Sequence, residues 1–388
     1  MPPPRVLLDA ASAPMLPAAR QTLLAALDAG WADPRRLYAE ARRARALLDQ
    51  AREVLAAGLG VRPPELSFLP GGPVAVSTGL AGLRYAARRR GRRLVASAVE
   101  HSSVLTTGRY LAAQAQDPTA FAEVAVQRSG AVNLDSWGEA VHVPGTAVAA
   151  LQSANGEVGT RQPLAAAHAA ARQAGVPLLV DAMAGLGRDD PPTAFDVLVG
   201  DAQSFGGPPG VGLLVVPAAT RWRRPGPVSE AEHGRADAEP VVALALAAAE
   251  AWRQTEHDRA ADAAQARTLV DRIRSAAACV PDVQVAGDPV DRLPHVVTFS
   301  ALFADGEALV TELDRRGFAV ASGSACTAST LEPSHVLAAT GVLTHGNVRV
   351  TLPLRQVAPD RAEQVERFCA ELPDAVAAVR AQLGADRL

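Results

Sequence analysis

The sequence of 388 residues contains no lysine, since all 38 of its Lys or Arg positions are arginine. Arginine keeps the positive charge at surface positions, and a compositional bias typical of GC-rich genomes explains most of this preference. Arginine cannot replace a lysine whose neutral amine must do chemistry. The absence therefore excludes mechanisms in which a lysine side chain forms an imine.

Cysteine is scarce too, and Cys279, Cys326 and Cys369 lie far apart. Their odd number and wide spacing form neither a disulfide framework nor a CxxC metal site. No apolar run reaches the ~18 residues that would span a bilayer, and residues 1–14 lack the pattern of a signal peptide. The net charge of −3 gives no sign of nucleic-acid or anionic-membrane binding. We expect a cytoplasmic protein that binds neither nucleic acid nor a membrane.

The residues that are present predict an α/β protein. The apolar fraction of 48% is enough for large cores, and the length favours two domains. Short apolar runs such as PLLVDA, FDVLVG and VGLLVV alternate with helical stretches as far as residue 220. This alternation predicts a mainly parallel, doubly wound sheet with helices on both faces. Residues 221–240 interrupt it, long alanine-rich helices are predicted from about 241 to 278, and a second α/β pattern follows.

Polar residues recur where the predicted strands end. His101 follows LVASAVE, Asp181 follows PLLV, and Asp201 follows DVLVG. Each residue alone is more typical of a turn or a helix cap. Ligands of open α/β sheets bind at the carboxyl ends of strands, so the recurrence favours a functional site there.

Cys326 lies among small, polar, turn-forming residues in ASGSACTASTLEPSHVL. An exposed thiol near positive charge becomes a thiolate and acts as a nucleophile, so we predict a functional role for Cys326. Cys279 and Cys369 have apolar helical surroundings, and we predict that both are buried.

Residues 322–341, SGSACTASTLEPSHVLAATG, resemble the cysteine-loop signature of cysteine desulfurases, which belong to the class V aminotransferase superfamily. LLDAASAP, GEVGTRQPL, VDA and FGGPPGVGLLVV are similar to further family segments, so the resemblance extends over nearly the whole chain. It implies the type I fold of pyridoxal phosphate (PLP) enzymes. A large sheet domain would comprise residues 16–245, and a smaller α/β domain would comprise residues 1–15 and 246–388 and carry the cysteine loop. It also implies a dimer with active sites near the interface.

The resemblance also implies roles for single residues. Cys326 would be the nucleophile that takes sulfur as a persulfide. His101 would stack on the cofactor ring, and Asp181 would pair with the ring nitrogen. Arg349, in NVRVTL, would bind the substrate carboxylate through its planar guanidinium.

The chain departs from the family pattern around the cofactor. Ser204 stands where the family has the lysine that binds PLP as an imine, and Asp201 stands at a phosphate-binding serine. A carboxylate ~4 Å from a phosphate charge would cost about 1–4 kcal/mol. Pro73, Gly156 and Ala184 replace three further cofactor-binding residues. The remnant cofactor pocket then consists of His101, Asp181, Asp201, Gln203, Gly72 and Asn155.

Three hypotheses follow for the function. The first is a desulfurase-like protein that has lost PLP chemistry, in which Cys326 relays sulfur from a donor or to an acceptor protein. It would be a homodimer or would pair with an intact homologue. The second is an active cysteine desulfurase with non-covalently held PLP, and the third is a binding module with a remodelled pocket. Under the first we expect no cofactor, no colour with added PLP and no borohydride-trapped adduct.

Overall fold

The computed structural model describes residues 5–11, 14–30, 32–322, 333–382 and 384. Its strands are β1 (Val6–Leu7), β2 (Leu66–Leu69), β3 (Arg93–Ser97), β4 (Phe121–Val124), β5 (Thr146–Gln152), β6 (Leu178–Asp181), β7 (Val197–Asp201), β8 (Gly212–Val215), β9 (Val283–Val285), β10 (Val296–Ala301), β11 (Phe318–Ala319) and β12 (Asn347–Thr351). Its α-helices are α1 (Pro17–Asp28), α2 (Ala39–Gly58), α3 (Gly72–Ala86), α4 (Ser102–Ala115), α5 (Leu134–His142), α6 (Leu164–Gln173), α7 (Val242–Ala278), α8 (Gly306–Arg315), α9 (His335–Thr340) and α10 (Arg361–Gln382).

Seven strands form the large sheet in the order β2-β8-β7-β6-β5-β3-β4. Only β8 is antiparallel to its neighbours, and the remaining strand pairs are parallel. Along β5, Ala149 and Leu151 pack into one apolar cluster and Val148 and Ala150 into another. Both faces of the sheet are therefore buried, as strands covered by helices require. The predicted α/β fold is confirmed.

Two small sheets follow the large one. β10 pairs antiparallel with β9 and β12, and β1 pairs parallel with β11. Helices α8 and α10 pack over these strands in a separate apolar cluster that includes Phe299, Phe318 and Phe368. The proposed division of the chain into domains stays a prediction, and its boundary at 245/246 would fall inside α7.

Helix α7 corrects the expectation of several helices between 241 and 278. It is one continuous helix of 37 residues, about 55 Å long at the usual rise per residue. Trp252 in its first half packs into the core of the large sheet, and Val270 in its second half packs into the cluster of the small sheets. A single helix therefore connects the two cores.

Cys279 also corrects an expectation. It directly follows the last residue of α7, and it is exposed rather than buried. Cys369, in α10, was predicted to be buried and is only partly buried, and this burial raises the pKa of its thiol to about 11.

Candidate functional site

The predicted strand-end residues meet at one edge of the large sheet. Gln152, Asp181 and Asp201 are the last residues of β5, β6 and β7, which are neighbours in the sheet. Gln152 lies opposite Asp181 in the parallel register. His101 and Asp201 both interact electrostatically with Asp181. The structure thus brings together the three polar residues that the sequence pattern singled out.

Asp181 is buried, with 4% of its surface exposed. One carboxylate oxygen, Oδ1, accepts a hydrogen bond of 2.9 Å from the backbone N–H of Met183. Burial raises the pKa of the Asp181 carboxyl, the Met183 N–H and nearby His101 lower it, and Asp201 raises it. A buried carboxylate near an exposed histidine is a suitable counter-charge for a cationic ring nitrogen.

His101 caps the amino end of α4. Its Nδ1 accepts a hydrogen bond of 3.2 Å from the backbone N–H of Ser103 and lies 2.8 Å from the Ser103 hydroxyl. The cap fixes where the ring leaves the helix, and His101 itself is exposed. The cap therefore fixes the ring at the start of α4, close to Asp181.

Glu100 is a site residue that the sequence analysis missed. It is fully buried next to His101, and its Oε1 accepts a hydrogen bond of 3.0 Å from the Gln152 N–H. Burial and the charge of Asp181 raise the pKa of the Glu100 carboxyl well above its usual range. Among the described residues, no group bonds its second oxygen. The only sequence signal was an acidic residue directly before His101.

Asp201 is bonded to two backbone amides. Its Oδ2 accepts a hydrogen bond of 2.6 Å from the N–H of Gly72, the first residue of α3, and its Oδ1 accepts one of 2.9 Å from the N–H of Gln203. A Cβ at Gly72 would overlap the sulfur of Met183 and would lie 3.2 Å from Oδ2 of Asp201. The amino end of α3 is therefore tightly packed and capped by a carboxylate.

Ser204 lies in the single 3₁₀ turn Ala202–Phe205 that follows β7. Ser204 and Gln203 are half-buried, while Phe205 packs edge-on against Trp252 with 5.1 Å between ring centroids. The aromatic contact anchors the turn on the core. A serine hydroxyl in this turn can donate and accept hydrogen bonds, but it cannot form an imine with an aldehyde.

The side chain of Asn155 shapes its own loop. Its Oδ1 accepts hydrogen bonds of 2.9 Å from the N–H groups of Glu157 and Val158, and its Nδ2 donates one of 3.0 Å to the Val99 carbonyl. Three backbone partners occupy most of the bonding capacity of this amide. Its assignment to the remnant cofactor pocket stays a prediction.

Arg349, on β12, is largely buried and 3.5 Å from a carboxylate oxygen of Asp9. Glu157 lies near it electrostatically, and burial raises the pKa of Glu157 to about 7, against the opposing effects of Ser334 and Arg349. The Ser334 hydroxyl donates a hydrogen bond of 2.6 Å to Oε1 of Glu157. This contact connects the chain just after residue 332 to the loop between β5 and α6. Cys326 itself lies outside the described residues, and its role stays a prediction.

No metal-binding group of His, Cys, Asp or Glu side chains occurs within the described ranges. In the same part of the chain, no helix combines the length and apolarity that a membrane crossing needs.

Known proteins share this architecture and are similar in sequence. A "NifS-like protein" structure superposes with a TM-score of 0.86 at 21% identity, over 96% of this chain and 99% of that one. The cysteine desulfurase IscS of Dictyoglomus turgidum is 29% identical and covers 90% of each chain. An IscS-like cysteine desulfurase of Mycobacterium tuberculosis is 32% identical and covers 96% of each chain. A family model described as aminotransferase class-V matches residues 5–360.

The sheet order, the helices on both faces and the acidic residue ending β6 define the type I fold of PLP enzymes. The chain belongs to the aminotransferase class-V family, and it is similar to cysteine desulfurases over almost its full length. The resemblance drawn from the cysteine loop is thereby confirmed.

The expectation that no cofactor is involved is wrong. Cysteine desulfurases of this family depend on PLP, so family membership indicates PLP as the cofactor. The residues present fit its ring, because Asp181 and His101 meet at one sheet edge. They do not fit an imine, since the sequence has no lysine, nor a phosphate at α3, where Asp201 already bonds the Gly72 N–H.

Proposed function

We propose that this chain is a cysteine desulfurase homologue that has lost the lysine-dependent desulfuration of cysteine. The observation that supports this most directly is Ser204 in the turn after β7, in a sequence without any lysine. Covalent catalysis on a carbonyl cofactor needs an amine that condenses with it, and proton transfer needs a base within hydrogen-bond reach. Ser204 supplies neither at neutral pH.

The second candidate is an active cysteine desulfurase that holds PLP without a covalent bond. The buried carboxylate of Asp181 and the exposed residue His101 near it support this candidate, because a carboxylate can pair with a ring nitrogen and an imidazole can stack on a ring. In this candidate the missing lysine amine would need a substitute among the remaining polar groups. Asp181→Asn is the variant that separates the two candidates, since it removes the counter-charge of the ring nitrogen.

Turnover in the presence of excess PLP tests the proposal, because the result then does not depend on how tightly PLP binds. The purified protein is incubated with PLP and L-cysteine, and the alanine formed is compared with that in the same solution without protein. We expect no alanine above that control. Saturable alanine formation that Asp181→Asn abolishes would overturn the proposal in favour of the second candidate.

A gain-of-function variant tests whether position 204 faces the cofactor. We expect Ser204→Lys to form a borohydride-reducible PLP adduct that peptide mass spectrometry locates at residue 204. The control is Ser275→Lys, which puts the only lysine on the exposed surface of α7. Equal labelling of both variants would show that residue 204 has no privileged access to PLP.

We further propose that Cys326 accepts sulfur from a partner. In this step the Cys326 thiolate attacks the outer sulfur of a donor persulfide, a new S–S bond forms, and the donor leaves as a thiolate. The donor is another protein that carries a persulfide, such as an intact homologue. The chain itself forms a homodimer or pairs with an intact homologue. The sequence of the cysteine loop, which is similar to the family signature, supports this role.

Mass spectrometry tests this role after incubation with cysteine and an active cysteine desulfurase. We expect a persulfide on Cys326, and iodoacetamide should label Cys326 before Cys279, which is exposed, and before Cys369, whose pKa is raised to about 11. Cys326→Ser is the control. Faster labelling of Cys279, or persulfide on Cys279 instead, would contradict a dedicated role for Cys326.

A further inference from the structure

The amino end of α3 is blocked in three ways. The N–H of Gly72 is bonded to Oδ2 of Asp201, at 2.6 Å. The next residue, Pro73, has no N–H to offer. The sulfur of Met183 fills the space where a Cβ of Gly72 would be. The first two positions of the helix therefore have no free backbone donor.

An open helix amino end attracts anions, because its free N–H groups and the helix dipole both favour negative charge. In this protein the carboxylate of Asp201 occupies the amino end of α3. Asp201 also accepts a hydrogen bond from Gln203, so two separate amides hold its side chain in this position. A second anion at the same place would meet the negative charge of Asp201 and would find no free N–H at the first two positions of the helix.

We propose that Asp201 is a specificity residue that makes this cofactor site disfavour the phosphate end of PLP relative to the uncharged hydroxymethyl group of pyridoxal. The ring-facing residues Asp181 and His101 are the same for both ligands, so the difference lies at α3. The proposal concerns binding only, and it holds whether or not cysteine is turned over.

The size of the effect follows from Coulomb repulsion. Two like charges about 4 Å apart near a protein surface lower affinity by roughly fivefold to several hundredfold per unit charge. Asp201→Asn removes the charge and keeps the shape and the amide-accepting oxygen. It should therefore raise the affinity for PLP by at least about fivefold and leave that for pyridoxal unchanged.

Equilibrium dialysis of the full chain against PLP and against pyridoxal measures both affinities directly. The absence of lysine removes the usual background, because only the α-amino group of the chain can form an imine with either aldehyde. The matched control is Asp305→Asn, since Asp305 caps α8 by accepting a hydrogen bond from the Ala308 N–H. Asp201→Ser is the second variant, in case the asparagine amide turns its N–H₂ toward Gly72.

The expected result is tighter PLP binding by Asp201→Asn and Asp201→Ser, with pyridoxal binding and the Asp305→Asn control unchanged. Equal PLP affinities of wild type and both Asp201 variants would overturn the proposal, and so would undetectable PLP binding by all three. A parallel gain for pyridoxal would overturn it too, because the carboxylate would then not act on the phosphate. Alanine formation, which tests the proposed function, plays no part in this readout.

Discussion

Glu232 holds the irregular segment 221–240 against the large sheet through a buried ion pair. Its carboxylate accepts hydrogen bonds from Arg52, at 2.6 and 2.7 Å, and from the backbone N–H of Phe68, at 2.6 Å. The side chains of Arg52 and Glu232 are only 9% and 1% exposed. Glu232→Gln keeps the shape and removes the counter-charge, so the Arg52 guanidinium stays buried without a partner charge. Breaking such a pair costs about 3–5 kcal/mol of the free energy of unfolding.

Urea unfolding of wild type and Glu232→Gln, at equal protein concentration, measures this loss. The control is Asp49→Asn, which breaks the ion pair between Arg45 and Asp49 on the same helix as Arg52. The side chains of that pair are 59% and 51% exposed, so its loss should cost less than about 1 kcal/mol. A Glu232→Gln protein within about 1 kcal/mol of wild type at an unchanged m-value would refute the reasoning.

Two further predictions concern stability. Burial raises the pKa of Glu157 to about 7 from an ordinary 4.5, so its contribution to the free energy of unfolding is present below pH 4.5 and is lost as the pH rises through 7. The free energy of unfolding of wild type should therefore fall between pH 5 and 8, and Glu157→Gln should remove up to about 3 kcal/mol of that fall. An identical pH dependence of the two proteins would contradict this prediction. A Cβ at Gly58 would overlap the buried indole of Trp252, so Gly58→Ala should cost about 1–3 kcal/mol. A Cβ at Gly138, in α5, would have no atom within 4 Å, so Gly138→Ala should raise the free energy of unfolding by up to about 1 kcal/mol. A higher melting temperature for Gly58→Ala than for Gly138→Ala would refute the packing argument.

Local pattern was sufficient to predict most of the large sheet. Apolar runs such as those of β6 and β7 are buried on both faces, and each ends in an acidic residue, so sequence alone predicts both the strands and the polar edge. It did not predict that residues 242–278 form one helix, because the alanine-rich pattern fits one helix or several equally well. The exposure of Cys279 was missed because it depends on where that helix ends.

The site shows the same division. His101, Asp181 and Asp201 were found as neighbours because parallel strands align their carboxyl ends. Glu100 was missed, since its raised pKa comes from its burial in the folded chain and from the charge of Asp181, which is far away in sequence. The engagement of the Asn155 amide by three backbone groups depends equally on contacts that no local pattern encodes.

Sequence by itself determined that no side chain of this protein can form an imine with an aldehyde, because an imine requires a lysine amine and the sequence has none. Only the tertiary structure decided what the carboxylate of Asp201 does. The sequence separates Asp201 from Gly72 by 129 positions, and the fold brings them within hydrogen-bond distance. The composition determines which reactive side chains are present, whereas the fold determines which hydrogen bonds those side chains make.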